Sequence, residues 1–322
     1  MRLLKTISTL ILTGFINATT AQVIDNTASF RETGRDKYIR YSYDNDFFTA
    51  TDQYYTQGML LEWVNPVFKK SPLSKLLIHP KNFQTTFGIA VEHLAYTPTS
   101  IRHTEIIYHD RPFAACLFYN AFAIAKNKET GQRITSKFSM GVIGPAAGGE
   151  EMQTSIHRWL KNITPLGWSN QVANDVIINY ELGYEKTVLD KNKIFRASWN
   201  SKVNVGTLNN KLSLGFIAMA GLPPTFTDIS ESEKKKLKFH FYNQCAINLV
   251  GYDASLQGGL FNKESPYTIN STAITRFTFQ DNAGVSIKLH NIYLEYFQSV
   301  ITKEFRTGKY HRWGGVRIGW EL

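Results

Sequence analysis

The residues of this chain best suited to chemistry lie in Gly144-Pro145-Ala146-Ala147-Gly148-Gly149 and the run beyond it, through Gln153 and His157 to Trp159. A glycine-rich, turn-forming entry leads there into a short helix. Gln153 and His157, four residues apart, share one face of that helix. An amide beside an imidazole can orient and activate a water, because histidine is the side chain that exchanges a proton near neutral pH. The same spacing also suits a capped connector helix with a solvated histidine. A second polar concentration is Tyr43-Asp44-Asn45-Asp46, followed by Thr51-Asp52-Gln53-Tyr54-Tyr55-Thr56-Gln57-Gly58. Its carboxylates and amides are hard oxygen donors of the kind Ca²⁺ accepts, and they are equally the residues that build Asx turns.

The elements that must position these residues read as strands. Residues 37–48, KYIRYSYDNDFF, set Tyr38, Arg40 and Ser42 on one face and Ile39, Tyr41 and Tyr43 on the other. Similar alternation recurs at 239–250 and 287–300. Period-two patterning over about ten residues, repeated end to end, is the signature of strands with one lipid face and one lumen face. Twelve strands are expected near 37–48, 54–65, 83–97, 112–127, 133–144, 174–190, 193–208, 211–221, 237–254, 274–289, 291–305 and 310–322. Tight turns at Asp190-Lys191-Asn192-Lys193, Asn209-Asn210 and His290-Asn291 would join several of them as hairpins. The fold class is therefore all-β: a twelve-stranded antiparallel transmembrane β-barrel with a short helix in an extracellular loop. Val316 to Leu322 alternates to its last residue, which resembles a barrel-assembly signal ending in Leu where an aromatic is usual. A secreted β-sandwich is the soluble alternative, and it would carry fewer outward aromatics than the 13% found here.

Met1 to Lys5 is basic, residues 7–16 are apolar, and Ala18 to Gln22 is rich in small residues, as in a secretory signal peptide. Cleavage is expected after Ala21, with Ala18 as the second choice, leaving residues 22–322 as one outer-membrane barrel domain. The formal charge is +10. For an exported protein this excludes nucleic acid as the natural partner and favours anionic lipid or a polyanionic cell surface. Cys116 and Cys245 lie in apolar strands and are expected to be free thiols. With both ends periplasmic, odd strands ascend and even strands descend. Asn45-Asp46, Tyr55-Thr56, the Arg102 to Arg111 loop and the Gln153–His157 helix then converge on the extracellular rim. Arg111 is expected either at the site or paired with Asp110.

The chain resembles the outer-membrane lipid A 3′-O-deacylases. The matching pieces are Asn45-Asp46, Tyr55-Thr56-Gln57-Gly58, Asp110-Arg111-Pro112-Phe113-Ala114, Gly144 to His157, Ser255-Leu256-Gln257-Gly258 and Glu304-Phe305-Arg306-Thr307-Gly308, in order along nearly the whole chain. The resemblance implies a Ca²⁺-dependent ester hydrolase acting on the 3′-linked acyloxyacyl group of lipid A in lipopolysaccharide, with its site between the barrel wall and a small helix. It implies His157 as the catalytic histidine, Gln153 as its helix partner, Asn45 and Asp46 as the hairpin pair, with Asp46 towards the metal, and Thr56 as the strand-two hydroxyl. The family carries a lysine and neighbouring arginine in the loop after strand three, where this chain offers Arg102 and His103. It also carries an acid six residues after the histidine, where this chain has Ile163. A monomer among outer-membrane lipids is expected. The alternatives are a phospholipase-like outer-membrane esterase, for which Ser155 sits on another helical face than His157, and a barrel that binds lipopolysaccharide without cleaving it. A porin would need a wider lumen than twelve strands readily give.

Overall fold

The alternating stretches pair as their pattern predicts. The computed structural model describes residues 23–50, 53–191, 194–223, 225–226 and 237–322. Among them, in chain order, are β1 (Tyr38–Asn45), β2 (Tyr54–Val64), β3 (Gln84–Thr97), β4 (Ala114–Asn127), β5 (Gln132–Ile143), helix α1 (Gly149–Trp159), β6 (Asp175–Lys191), β7 (Phe195–Gly206), β8 (Asn209–Leu222), β9 (Lys238–Asp253), the one-turn helix α2 (Ala254–Gln257), β10 (Phe277–Leu289), β11 (Ile292–Ile301) and β12 (His311–Glu321). Each strand pairs antiparallel with its sequence neighbours. β1 closes on β12, with Tyr38 opposite Glu321 and Asn45 opposite Gly314, so these twelve strands form a closed barrel without an edge. Chain direction puts the start of β1 and the end of β12 at one end. The β1–β2, β3–β4, β5–β6, β9–β10 and β11–β12 connections, with α1 and α2, lie at the other.

The two faces of the wall differ as lipid and lumen require. Ile39, Leu61, Val91, Leu214, Ile247 and Ile318 point outward and are exposed. Trp63, Phe239 and Trp320 ring the end near the termini, and Phe47, Trp159 and Tyr310 ring the α1 end, the two aromatic girdles of a membrane barrel. No helix among the described residues is long and apolar enough to cross a membrane. Inward positions are buried and charged, including Arg40, Glu62, Glu92, Glu295 and Arg317.

A stretch with no periodicity occupies part of the lumen. Residues 23–33, just before β1, enter the barrel and satisfy its inward charges. Ile24 N donates to Glu92 Oε1 at 3.0 Å and Asn26 Nδ2 to Glu62 Oε2 at 2.9 Å. Arg31 pairs with Glu295 at 3.0 Å, and Lys202 with Asp25 at 2.8 Å. Phe30 stacks on Tyr242 with centroids 3.9 Å apart. Sequence pattern assigns this segment no structural role, because its order comes from partners far away along the chain.

Cys116 and Cys245 are free. Asn209-Asn210 is not a turn: both residues open β8, and the chain reverses at Thr207-Leu208. The reversal is held from the side, since Asn179 Oδ1 accepts from Leu208 N and Asn209 N, and Asn210 Oδ1 accepts from Gly206 N. Asparagine therefore supports this turn without occupying it. The expected signal peptide, residues 1–21, lies outside the described residues.

Candidate active site

Side-chain parity places several of the candidate residues and their neighbours on the outside of the wall. Tyr41 in β1, Trp63 in β2, Val91 in β3 and Leu117 in β4 face outward and are exposed. Counting by twos towards the α1 end reaches Asn45, Gln57, His93, Ala95, Thr97 and Ala115 on the same face. Here the wall is roofed: Gln57, His93, Ala95, Thr97 and Ala115 are buried. Ala95 and Ala115 form one apolar cluster with Ile101, Phe113, Ala147 and Trp168. The β3–β4 and β5–β6 connections thus fold back over the membrane-facing side of β2–β4 and enclose a second small core there.

The β1–β2 hairpin brings Asn45, Asp46 and Thr56 together. Asn45 caps the 3-10 turn Asp46–Thr49, its Oδ1 accepting from Phe47 N at 2.7 Å. Its Nδ2 donates to the Thr56 carbonyl at 2.6 Å and to Tyr43 OH at 3.1 Å. Both ends of the Asn45 amide are therefore spent on the hairpin, and its role is to hold the loop that carries Asp46. Asp46 is buried, and its Oδ2 accepts from Gln53 N at 2.6 Å. The register of β2 on β3 shifts between Tyr55 and Gln57, which makes Thr56 a bulge residue. Its hydroxyl meets that of Thr97 at 2.6 Å.

The glycine-rich entry folds as a 3-10 turn, Pro145–Ala147, flanked by Gly144 at φ +105° and Gly148 at φ +71°, left-handed values that favour glycine. α1 follows. Gln153 points into the roofed core, where its Oε1 accepts from Trp168 Nε1 at 2.7 Å. Its Nε2 is buried without a partner among the described residues. His157, one turn on, is half-buried, and its Nδ1 lies 2.5 Å from the carbonyl oxygen of Ile163. A carbonyl only accepts, so Nδ1 carries the proton and Nε2 keeps the lone pair a base needs. The departure at position 163 thus has a structural answer: the main chain of Ile163 orients the imidazole. Ser155 is exposed, on a different face from Gln153.

Hairpin and helix are joined through a residue that no sequence motif singles out. His93 Nε2 donates to the Ala147 carbonyl at 3.1 Å, while Gln57 Nε2 approaches His93 Nδ1 at 3.5 Å. Gln57 adjoins Thr56, and Ala147 lies at the entry to α1. The available signal was a histidine on the lipid-facing parity of β3. Arg102 is exposed and lies on the loop tied to the segment after α1 by Leu166 N to Ile101 O at 2.9 Å. Arg111 does not pair with Asp110, whose carboxylate accepts from Thr99 N, Thr99 Oγ1 and Arg111 N. The Arg111 guanidinium instead binds the Glu304 carboxylate and Ser255 Oγ, over the ring of Tyr96 at 4.3 Å. It ties the β3–β4, β9–β10 and β11–β12 connections together. Burial pushes the Glu304 carboxyl up to about 7, Asp253 adds to the effect, and Arg111 opposes it.

The family model described as outer membrane protein LpxR matches residues 7–322. The chain belongs to this family. It is similar in structure to LpxR from Salmonella typhimurium, with 19% identity and a TM-score of 0.73 over 88% of this chain and 100% of that one. The β domain of the Bordetella autotransporter BrkA (8% identity, TM-score 0.44, 88% of this chain and 97% of that one) and the translocator domain of NalP from Neisseria meningitidis (9%, 0.42, 100% and 94%) superpose too loosely to carry an argument. No curated protein sequence matches. The chain is thus an outer-membrane LpxR-family barrel.

For a metal, the hairpin donors are oxygens: the Asp46 carboxylate, the Thr56 hydroxyl and main-chain carbonyls. That chemistry fits a hard cation such as Ca²⁺. Among the described residues no three His, Cys, Asp or Glu side chains gather in one place.

Proposed function

We propose that this barrel is a lipid A 3′-O-deacylase, a hydrolase that releases the 3′-linked acyloxyacyl group of lipid A at the outer leaflet. The observation that supports this best is the position of the polar groups. They sit on the membrane-facing side of the wall, under a roof, where a lipid reaches them by moving sideways in the leaflet. A soluble substrate would be better served by the lumen, and residues 23–33 narrow it to a cavity of about 90 Å³ among Asp25, Arg31, Glu181 and Lys202.

His157 Nε2 takes a proton from a water, whose oxygen attacks the ester carbonyl carbon. Gln153 Nε2 donates to the carbonyl oxygen as it gains charge. When the tetrahedral intermediate collapses, the C–O bond to the sugar oxygen breaks. The proton held on Nε2 passes to the departing 3′ oxygen, giving a free hydroxyl and a fatty acid. Asn45 and Thr56 hold the hairpin, and Asp46 with neighbouring carbonyls would hold Ca²⁺. When bound, the cation would stabilise the same developing negative charge. Arg102, exposed beside the roof, faces the anionic headgroup region.

Mass spectrometry of lipid A from cells expressing the chain tests the reading. Loss of the 3′ acyl group is expected with the native chain and not with His157→Ala. Unchanged lipid A with the native barrel correctly inserted would refute deacylation and favour a barrel that only binds lipopolysaccharide.

A further inference from the structure

Trp168 lies outside every motif that pointed to the site, yet it is fully buried against the residue that needs orienting. We propose that Trp168 is a positioning residue: its indole N–H fixes the Gln153 side chain so that the amide nitrogen is the end left without a protein partner among the described residues and aimed to meet the substrate ester when it enters. The inference rests on the deacylase reading and adds to it the residue that decides which way that amide points.

An indole nitrogen is a donor only, whereas an amide side chain has one accepting end and one donating end that are nearly identical in shape. With Trp168 Nε1 2.7 Å from Gln153 Oε1, a flipped amide would set NH₂ against N–H and lose the bond. Oε1 is thereby committed to Trp168, and Nε2 is left buried and unpartnered among the described residues. An unsatisfied buried donor is costly, and pairing with an incoming carbonyl oxygen relieves that cost.

The ring cannot drift from this duty. A Cβ on Gly149, the first residue of α1, would stand 2.7 Å from the Trp168 ring and 2.5 Å from Ala115 Cβ, so only glycine lets the helix sit this close. A Cβ on Gly167 would stand 2.4 Å from Phe113, whose ring packs on Trp168 at 5.1 Å between centroids. Two glycines and a phenylalanine therefore fix one indole, and the indole fixes one amide.

The discriminating change is Trp168→3-benzothienylalanine in the full-length barrel, which replaces the N–H by sulfur and keeps the ring's shape. Purified in micelles with lipid A as substrate, this variant is expected to lose about 10- to 100-fold in kcat, less than the roughly 100- to 1000-fold of removing an oxyanion donor outright, because the amide is freed to turn and not deleted. KM and the thermal unfolding midpoint should stay close to those of the native barrel. Trp168→Phe should behave alike, with some added loss of stability. In a Gln153→Ala background the same change should lower kcat by no more than about twofold, because the residue through which Trp168 acts is gone. A benzothienyl variant with native kcat would overturn the proposal, and so would losses that multiply fully in the double variant. A native barrel that releases no acyl group would instead refute the deacylase reading on which the proposal stands.

Discussion

Removing the Arg111 guanidinium should unfasten the α1 end of the barrel in a way that depends on pH. In the native protein Arg111 faces the Glu304 carboxylate, Ser255 Oγ and, through Ser255, the Asp253 carboxylate. Glu304 is buried and its carboxyl is held at about 7, above its ordinary 4.5. A raised carboxyl favours the fold only while it keeps its proton. Its contribution is complete below pH 4.5 and disappears as pH rises to 7. At about 1.4 kcal/mol for each pH unit between those two values, the loss is about 3 kcal/mol. Arg111→Met removes the opposing charge, so the carboxyl rises further and the decline continues above pH 7. At pH 8 the variant should lose about 3–5 kcal/mol, the usual cost of leaving one member of a buried pair uncompensated. Adding Glu304→Met should restore most of it, because two apolar side chains replace two charges. Urea titrations of the folded barrel in micelles from pH 4 to 9, read by tryptophan fluorescence, measure these losses. Arg111→Met losing under about 1 kcal/mol at pH 8, or Glu304→Gln keeping the native slope between pH 4.5 and 7, would refute the reasoning.

Two further outcomes follow from the same geometry. If Ca²⁺ is held mainly by Asp46 and uncharged oxygens, chelation should abolish deacylation reversibly and Asp46→Asn should raise the Ca²⁺ needed for half activity by roughly tenfold or more; activity untouched by chelator would remove the cation from the site. Deleting residues 23–33 should open the lumen and give steady conductance in planar bilayers where the full chain gives none, because these residues carry Arg31 and Phe30 into it; a silent deletion variant would show that the inward side chains seal the barrel unaided.

Strands and faces were legible because one periodicity covers them: Tyr38, Arg40 and Ser42 fall inside and Ile39 and Tyr41 outside, as the alternation predicts. Gln153 and His157 were legible because a polar helix is anomalous among strands. What stayed hidden depends on distant partners. Trp168 meets Gln153 across 15 residues, Arg111 meets Glu304 across 193, and Arg31 meets Glu295 across 264. Arg111 shows the limit well, since its neighbour in sequence, Asp110, is the wrong carboxylate. Asn45 shows another, because residue type alone could not say that its amide would be used up by the hairpin.

One pattern in the sequence nevertheless required the roof before any loop was placed. Asn45, Gln57, His93 and Thr97 stand on the parity that further down the wall carries Tyr41, Leu61, Val91 and Trp63. Polar groups facing hydrocarbon without partners cost several kcal/mol each, so a group of them at one end of three adjoining strands cannot simply be left there. They must be covered by protein, or lie above the hydrocarbon, or both. The cover comes from the β3–β4 and β5–β6 connections, and its inner surface supplies the partners: the Ala147 carbonyl for His93, and Trp168 and Gln153 for each other. A helix that merely linked strands would need none of this. A helix that shields outward polar groups while leaving the Gln153 amide nitrogen buried without a partner among the described residues is what the proposed deacylase, taking its lipid from the side, would require.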